Sequence, residues 1–457
     1  MEALHDRGEW WLPETPEVKV AGEIEIEHHG SPRLELARFL ADGDPDRRYD
    51  VVLGTTLAGE PITLEGLRQV GRPSVYSRRL PEPIQREILT SDWAYVGAHL
   101  EDPGARTFRE ATIELSDLMT WAGPSGFDEQ LGRNVRDITL SLVLPDQLVA
   151  NLPLGKVTLG HGWQTTGDLR RSRGIAKSVA WWIEVPEPLA APELLARFGN
   201  PLRYLLTFAT DRPNEIERLT VKTMRYDDVH GTNVVVEYPR SSDRRKAVDS
   251  FGEGYLFDVP LIGERFESLI TTWFALYDRI RPALNLLFGP RYRPGTFTDN
   301  HFLNVVAAAE GYHRATMRNE ILSRSAHGAM LRSIYDGVPT EHLAWLKERL
   351  AHSNEPTLRE RLVELHGRAS EVVSGVLGGA DDYAGPVVRA RNALTHRGPA
   401  DRAPDISGRE MFRMAEQTVF LMTACLLLDL GFSDLEAVAA TRRSRRFRVL
   451  TEVFGRS

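Results

Sequence analysis

Through roughly the first 290 residues, apolar and polar side chains alternate with the period-two rhythm of half-buried strands; beyond them the rhythm lengthens to that of helices. Val18, Val20, Ile24 and Ile26 mark a strand over 18–27. Residues 50–63 read strand–turn–strand, with Gly54 and Ala58-Gly59-Glu60-Pro61 as turn formers. Further strands are expected at 93–100, 107–115, 137–143, 156–159, 179–185 and 234–238, with one helix over 192–208. From Phe257 the texture changes: Phe266, Leu269, Ile270, Trp273, Phe274 and Tyr277 recur at helical spacing, the pattern of a core-facing stripe. A breaker follows at Phe288-Gly-Pro-Arg-Tyr-Arg-Pro-Gly-Thr. Helices are then expected at 299–323, 340–351, 357–377, 386–396, 407–430 and 433–453. The fold class is therefore α+β: a β-rich region over 1–288 and an all-α domain over 289–457.

Composition sharpens this only a little. A chain of 457 residues with 42% hydrophobic and 26% charged side chains fits a soluble globular protein of two or three domains. No uninterrupted apolar run reaches bilayer length; the greasiest, 419–430, reads as a buried helix. The first residues carry no basic and apolar leader, and the cytoplasm is the expected location. One cysteine, Cys425, rules out a disulfide framework and a cysteine zinc site, and it falls in that apolar helix. No metal and no cofactor is expected.

Charge is distributed unevenly. From Arg291 onward there are 23 Lys and Arg against 20 Asp and Glu, leaving 33 against 44 before it. Much of the basic excess is one run, Arg442, Arg443, Arg445, Arg446 and Arg448, read as a solvated face with contact to nucleic-acid phosphates as the sharper alternative.

The chemistry concentrates in Arg389-Ala-Arg-Asn-Ala-Leu-Thr-His-Arg-Gly. Asp381 and Asp382 precede its helix, Pro386 suits a first-turn position, and Gly398-Pro399 stops it. Asn392 and His396 stand four residues apart, on one helix face, while Arg391 lies roughly 140° round from His396 and must reach across. A fixed cation, a neutral hydrogen-bonding amide and a titratable imidazole form a group suited to phosphate. The same residues also suit the negative end of a helix dipole, and spacing alone does not separate the two.

Arg391-Asn392-Ala-Leu-Thr-His396 resembles the Arg-x4–6-His motif, with Asn in second place, of the HEPN superfamily of helical-bundle ribonucleases. His301 through Arg314, ending Glu310-Gly-Tyr-His313-Arg314, is similar to the opening helix of Apea-like HEPN domains. Gly54-Thr-Thr, Ile62-Thr-Leu, Tyr95-Val-Gly-Ala-His99 and the stretch from Phe108 through Trp121 resemble the N-terminal domain usually joined to them. The resemblance implies an anti-phage, abortive-infection protein whose N-terminal region senses or restrains and whose HEPN domain cleaves RNA, transfer RNA among the candidates, without a metal.

In that reading His396 moves protons, Arg391 answers the charge that builds on the phosphate, and Asn392 orients the phosphate or His396. Glu310 and His313 are supporting residues facing Arg391 or His396, against a bland alternative of a surface ion pair and a satisfied core histidine. Arg314, Arg389 and Arg397 are the RNA-binding candidates. A homodimer through the HEPN domain, a phage-derived trigger at the N-terminal region and no membrane partner complete the expectation. The alternative is a HEPN module that only dimerises or binds nucleic acid. Elsewhere His28-His29 reads as a turn, Gly160-His161-Gly162-Trp163 as a Gly-rich loop without a phosphate-binding signature, and Trp10-Trp11 and Trp181-Trp182 as core.

Overall fold

The computed structural model describes residues 4–27, 30–41, 48–71, 74–75, 84–131, 137–168, 170–223, 232–238, 254–292, 295, 297–395 and 406–454. It divides into two compact units. The first comprises Met1–Leu206, Asn214–Phe251 and Ile262–Glu267; the second comprises Thr207–Pro213, Gly252–Leu261 and Ser268–Ser457.

Apart from a short ribbon of Ser74–Val75 and Ile84–Gln85, six strands open the first unit: β1 (Leu4–Trp11), β2 (Val20–Ile26), β3 (Arg33–Leu36), β4 (Arg48–Thr56), β5 (Pro61–Gly71) and β6 (Glu87–Thr90). Antiparallel pairing runs β5-β4-β1-β2-β3-β6 and returns to β5, so the strands close into a barrel. Closure leaves no free edge, and the alternating apolar positions all point inward. Trp10, Val20, Ile24, Leu34, Leu36, Val52, Ile62, Leu64 and Leu89 fill the interior. Gly54 is required there, because a Cβ would lie 2.1 Å from the Trp10 indole.

The stretches that carry the N-terminal resemblance meet beside this barrel, and their contacts explain them. Thr63 Oγ1 donates to the Ala98 carbonyl at 2.9 Å and accepts from the Leu100 N–H at 2.8 Å. Tyr95 and Arg106 both donate to Glu65, each at 2.9 Å, and His99 Nε2 lies 2.8 Å from the Gly54 carbonyl. These contacts tie β4 and β5 to the segment 95–106 that follows them, so these residues read as structural.

The sheet continues through β7 (Trp93–Val96), β8 (Thr107–Leu115), β11 (Leu148–Leu152), β12 (Gly155–Thr166), β13 (Gly174–Ala190), β14 (Ile216–Thr223) and β15 (Thr232–Glu237). From β5 the order is β7-β15-β14-β8-β13-β12-β11. Among the described residues, the strands β9 (Phe127–Leu131) and β10 (Ile138–Leu142) pair only with each other. The helix α1 (Asn200–Thr210) completes the helical stretch expected over 192–208.

The second unit is helical: α2 (Phe266–Tyr292), α3 (Thr298–Thr316), α4 (Arg324–Asp336), α5 (Thr340–Arg349), α6 (Leu358–Arg368), α7 (Ser370–Leu377), α8 (Ala380–Thr395), α9 (Gly408–Asp429), α10 (Asp434–Arg443) and α11 (Arg445–Phe454). Thr357, Ser407 and Ser433 cap α6, α9 and α10 with reciprocal capping boxes to Glu360, Glu410 and Glu436. The centre is α9, the one described helix long and apolar enough to cross a membrane. Most of its residues are buried among the other helices, Cys425 included. Burial pushes the Cys425 thiol up to about 12.

Several expectations need correction. The motif helix begins at Ala380, so Pro386 lies inside it, and Asp381 and Asp382 occupy its first turn. The expected breaker at 288–296 does not stop α2 at Phe288; the helix runs through Pro290 to Tyr292, where the ring removes one hydrogen bond near an end that is already short of partners. The helices expected at 357–377 and 433–453 each split, at Ala369 and Ser444. Gly160 and Gly162 are strand residues, not loop. Trp10 and Trp181 are core, as expected, while His28 and His29 lie outside the described residues.

Candidate functional site

The motif helix α8 buries Tyr383, Ala384, Val387 and Ala390. At 100° per residue, Arg389 and Asn392 each lie roughly 150° from the centre of that buried stripe, and both are exposed. Arg391 occupies the flank and is half-buried. Its Nη1 donates to Asn392 Oδ1 at 3.2 Å, so the cation and the amide act as one unit, and the Thr395 hydroxyl closes on the Arg391 carbonyl at 2.9 Å. His396 and Arg397 lie outside the described residues. The geometry thus brings Arg391 and Asn392 together on an accessible surface, with Arg389 one turn away.

Glu310, His313 and Arg314 form a second group on α3, the helix beside α6 and α8. His313 is fully buried. Its Nε2 lies 2.6 Å from a Glu364 oxygen, and its Nδ1 takes a hydrogen bond from Arg361 Nη1 at 3.0 Å. Since a guanidinium can only donate, Nδ1 must be bare and Nε2 must carry the proton. The contacts therefore fix both the tautomer and the neutral state. Burial, reinforced by Arg361 and opposed by Glu364, holds the imidazole below its ordinary pKa. Arg361 is itself buried, and it reaches Glu355 at 3.4 Å. Arg314 bridges Glu310 at 3.1 Å and Glu355 at 3.4 Å. Six charged or titratable side chains on α3, on α6 and just ahead of α6 form one continuous network. Sequence reasoning missed Arg361, Glu355 and Glu364, although the capping box at Thr357 with Arg361 and Glu364 at successive turns was a usable signal.

The arginine run divides between inside and outside. Arg446 Nε pairs with buried Glu416 at 2.8 Å, and Arg443 donates to the Leu256 carbonyl at 3.1 Å. Arg442, Arg443, Arg445 and Arg448 are exposed, so most of the run is the solvated face expected and Arg446 is the one turned partly inward. Glu416 also meets His301 at 3.1 Å. Burial works against its charge, yet Arg446, His301 and Arg291 keep the carboxyl below the usual range. This cluster ties α3, α9 and α11 together and reads as structural.

Comparison with known families matches two models in the order of the chain. ApeA N-terminal domain 1 covers residues 7–273, more than half the sequence, and Apea-like HEPN covers 303–436. No curated protein and no solved structure matches the chain.

Proposed function

We propose that this chain, which belongs to the ApeA family of HEPN-type anti-phage defence proteins, is a metal-independent endoribonuclease that arrests growth during infection. The observation that carries the reading is the joined Arg391–Asn392 pair on the open flank of α8, inside the stretch matched by the HEPN model. HEPN domains commonly dimerise and bind RNA, and a site facing outward on one helix suits completion by a second copy.

The chemistry is attack of a ribose 2′-OH on the adjacent phosphodiester, leaving a 2′,3′-cyclic phosphate and a 5′-OH. Arg391 offers its planar fork to the non-bridging oxygens as charge accumulates there. The amide of Asn392, whose oxygen already accepts from Arg391, keeps its N–H groups for a phosphate oxygen. His396 moves the proton near neutrality. Arg314, Arg389 and Arg397 guide the RNA strand, and the His313 network braces the helices that present the motif. Residues 289–457 form the nuclease portion, residues 1–288 respond to a phage-derived trigger, and transfer RNA is the first substrate to try.

The test is RNA cleavage in EDTA by wild type, Arg391→Ala and His396→Ala, with fragment ends mapped. Cleavage by wild type alone, ending in cyclic phosphates, is the expected result. Equal cleavage by all three, or none by wild type on RNA from infected cells, would refute the nuclease reading and leave a binding or dimerisation module.

A further inference from the structure

The strand pair β12–β13 outruns its neighbours. β11 covers β12 only over Gly155–Leu159, and β8 pairs with β13 from Trp181 onward. Between them, Gly160↔Ala180 through Thr166↔Gly174 form seven cross-strand pairs of a two-stranded ribbon, flanked by no third strand among the described residues. At strand rise this is about 24 Å of ribbon.

Its two faces differ sharply. One face carries Gly160, Gly162, Gln164 and Thr166 opposite Ala180, Ser178, Ala176 and Gly174, and Gln164 is its one long side chain. The other face bears Trp163 and Thr165 opposite Lys177 and Ile175. Trp163 is 62% exposed, whereas Trp10, Trp121 and Trp181 of the same unit are buried. Lys177 is not a free cation, because its ammonium donates to the Pro124 carbonyl at 2.9 Å and anchors the base of the ribbon. Arg173 Nη2 donates to Thr165 Oγ1 at 2.7 Å, which steadies the guanidinium on the face that carries Trp163. Arg170 and Arg171 are exposed at the turn. The nearby carboxylate, Asp168, is occupied by the backbone N–H groups of Arg170 and Arg171 at 2.7 and 2.8 Å, so it shapes the turn and pairs with neither side chain there. Three arginines thus stand at the turn end of the ribbon whose same face carries an exposed indole, in the part of the chain that is otherwise acidic, with 33 Lys and Arg against 44 Asp and Glu before Arg291.

We propose that this ribbon binds single-stranded nucleic acid, with a base stacked on Trp163 and the adjoining phosphates on Arg170, Arg171 and Arg173. An exposed aromatic face with flanking cations is what an unpaired strand needs and a duplex does not, since every base offers a π-face once unstacked. The site lies wholly within the first unit, and it gives the trigger sought at the N-terminal region a chemical class. The binding itself does not depend on the nuclease reading.

The experiment uses the full chain carrying Arg391→Ala, so that the nuclease motif cannot consume the probe. Fluorescence anisotropy is followed with labelled 12-mers of oligouridylate and oligothymidylate, a 12-base-pair duplex, and polyglutamate as competitor. We expect both single strands to bind, Trp163→Ala to weaken them about tenfold or more, and Trp163→Phe to retain most of the affinity. Arg170→Ser, Arg171→Ser and Arg173→Ser together should lower the slope of log affinity against log salt by about 2. The uridylate and thymidylate arms tell an RNA ligand from a DNA one. Equal binding by Trp163→Ala, tighter binding to the duplex, displacement by polyglutamate, or no binding at all would overturn the assignment. Failure of wild type to cut RNA would sink the nuclease reading alone.

Discussion

A protonated His313 would have to face the Arg361 guanidinium at 3.0 Å where water does not reach. The folded protein therefore refuses a proton that the unfolded chain accepts near the ordinary pKa of about 6.5. Because the unfolded state binds more protons, stability is intact above that value and falls as pH drops below it. Wild type should lose melting temperature between pH 7.5 and 5.5, and His313→Gln should lose less of it over that interval; identical pH slopes would contradict the assigned tautomer. Arg361→Ala strands Nδ1 and the charges around it, and we expect a loss of about 3 kcal/mol in urea unfolding. The capping box at Thr357 marked the helix of Arg361, but nothing local tied that helix to His313. His313 and Arg361 are separated by α4 and α5, whereas Arg391 and Asn392 are adjacent and their pairing was open to inspection.

Among the elements, the barrel offers the clearest test. Gly54→Ala places a methyl against the Trp10 indole, and overpacking of this kind costs about 1–3 kcal/mol. Pairing it with Trp10→Leu should recover part of that loss, which a double-mutant cycle would read. Strands whose inward positions are consistently apolar were legible: 107–115 was expected where Thr107–Leu115 forms. Leu4–Trp11 was not, since His5, Asp6, Arg7 and Glu9 mask its rhythm until Trp10. Likewise Arg324–Asp336 buries no residue, so no core stripe marks it in the sequence. The break at Ala369 was hidden for a different reason: buried apolar positions, Leu365, Ala369, Val372 and Val373, continue across it, and only the backbone turns.

At the scale of the molecule, the helical unit draws on segments distant in sequence. Phe208 and Phe257 pack at 6.0 Å, Phe257 reaches Phe432 at 5.2 Å, and Arg291 pairs with Asp211 at 2.9 Å. A fragment of residues 289–457 leaves Phe208, Phe257 and Asp211 behind. We expect it to bind a hydrophobic dye and melt below a fragment of 207–457; equal melting would show that the earlier segments are dispensable. The texture change at Phe257 was legible, but the contribution of 207–213 was not, because those residues lie at the end of a helix that begins among strands. One last consequence follows from the lone cysteine at the centre of α9. With its thiol pushed up to about 12 and no surface exposed, Cys425 is chemically silent in the closed bundle. Disulfide exchange with an added aromatic reagent then becomes a clock for the helices parting, read at a single atom without any engineered label.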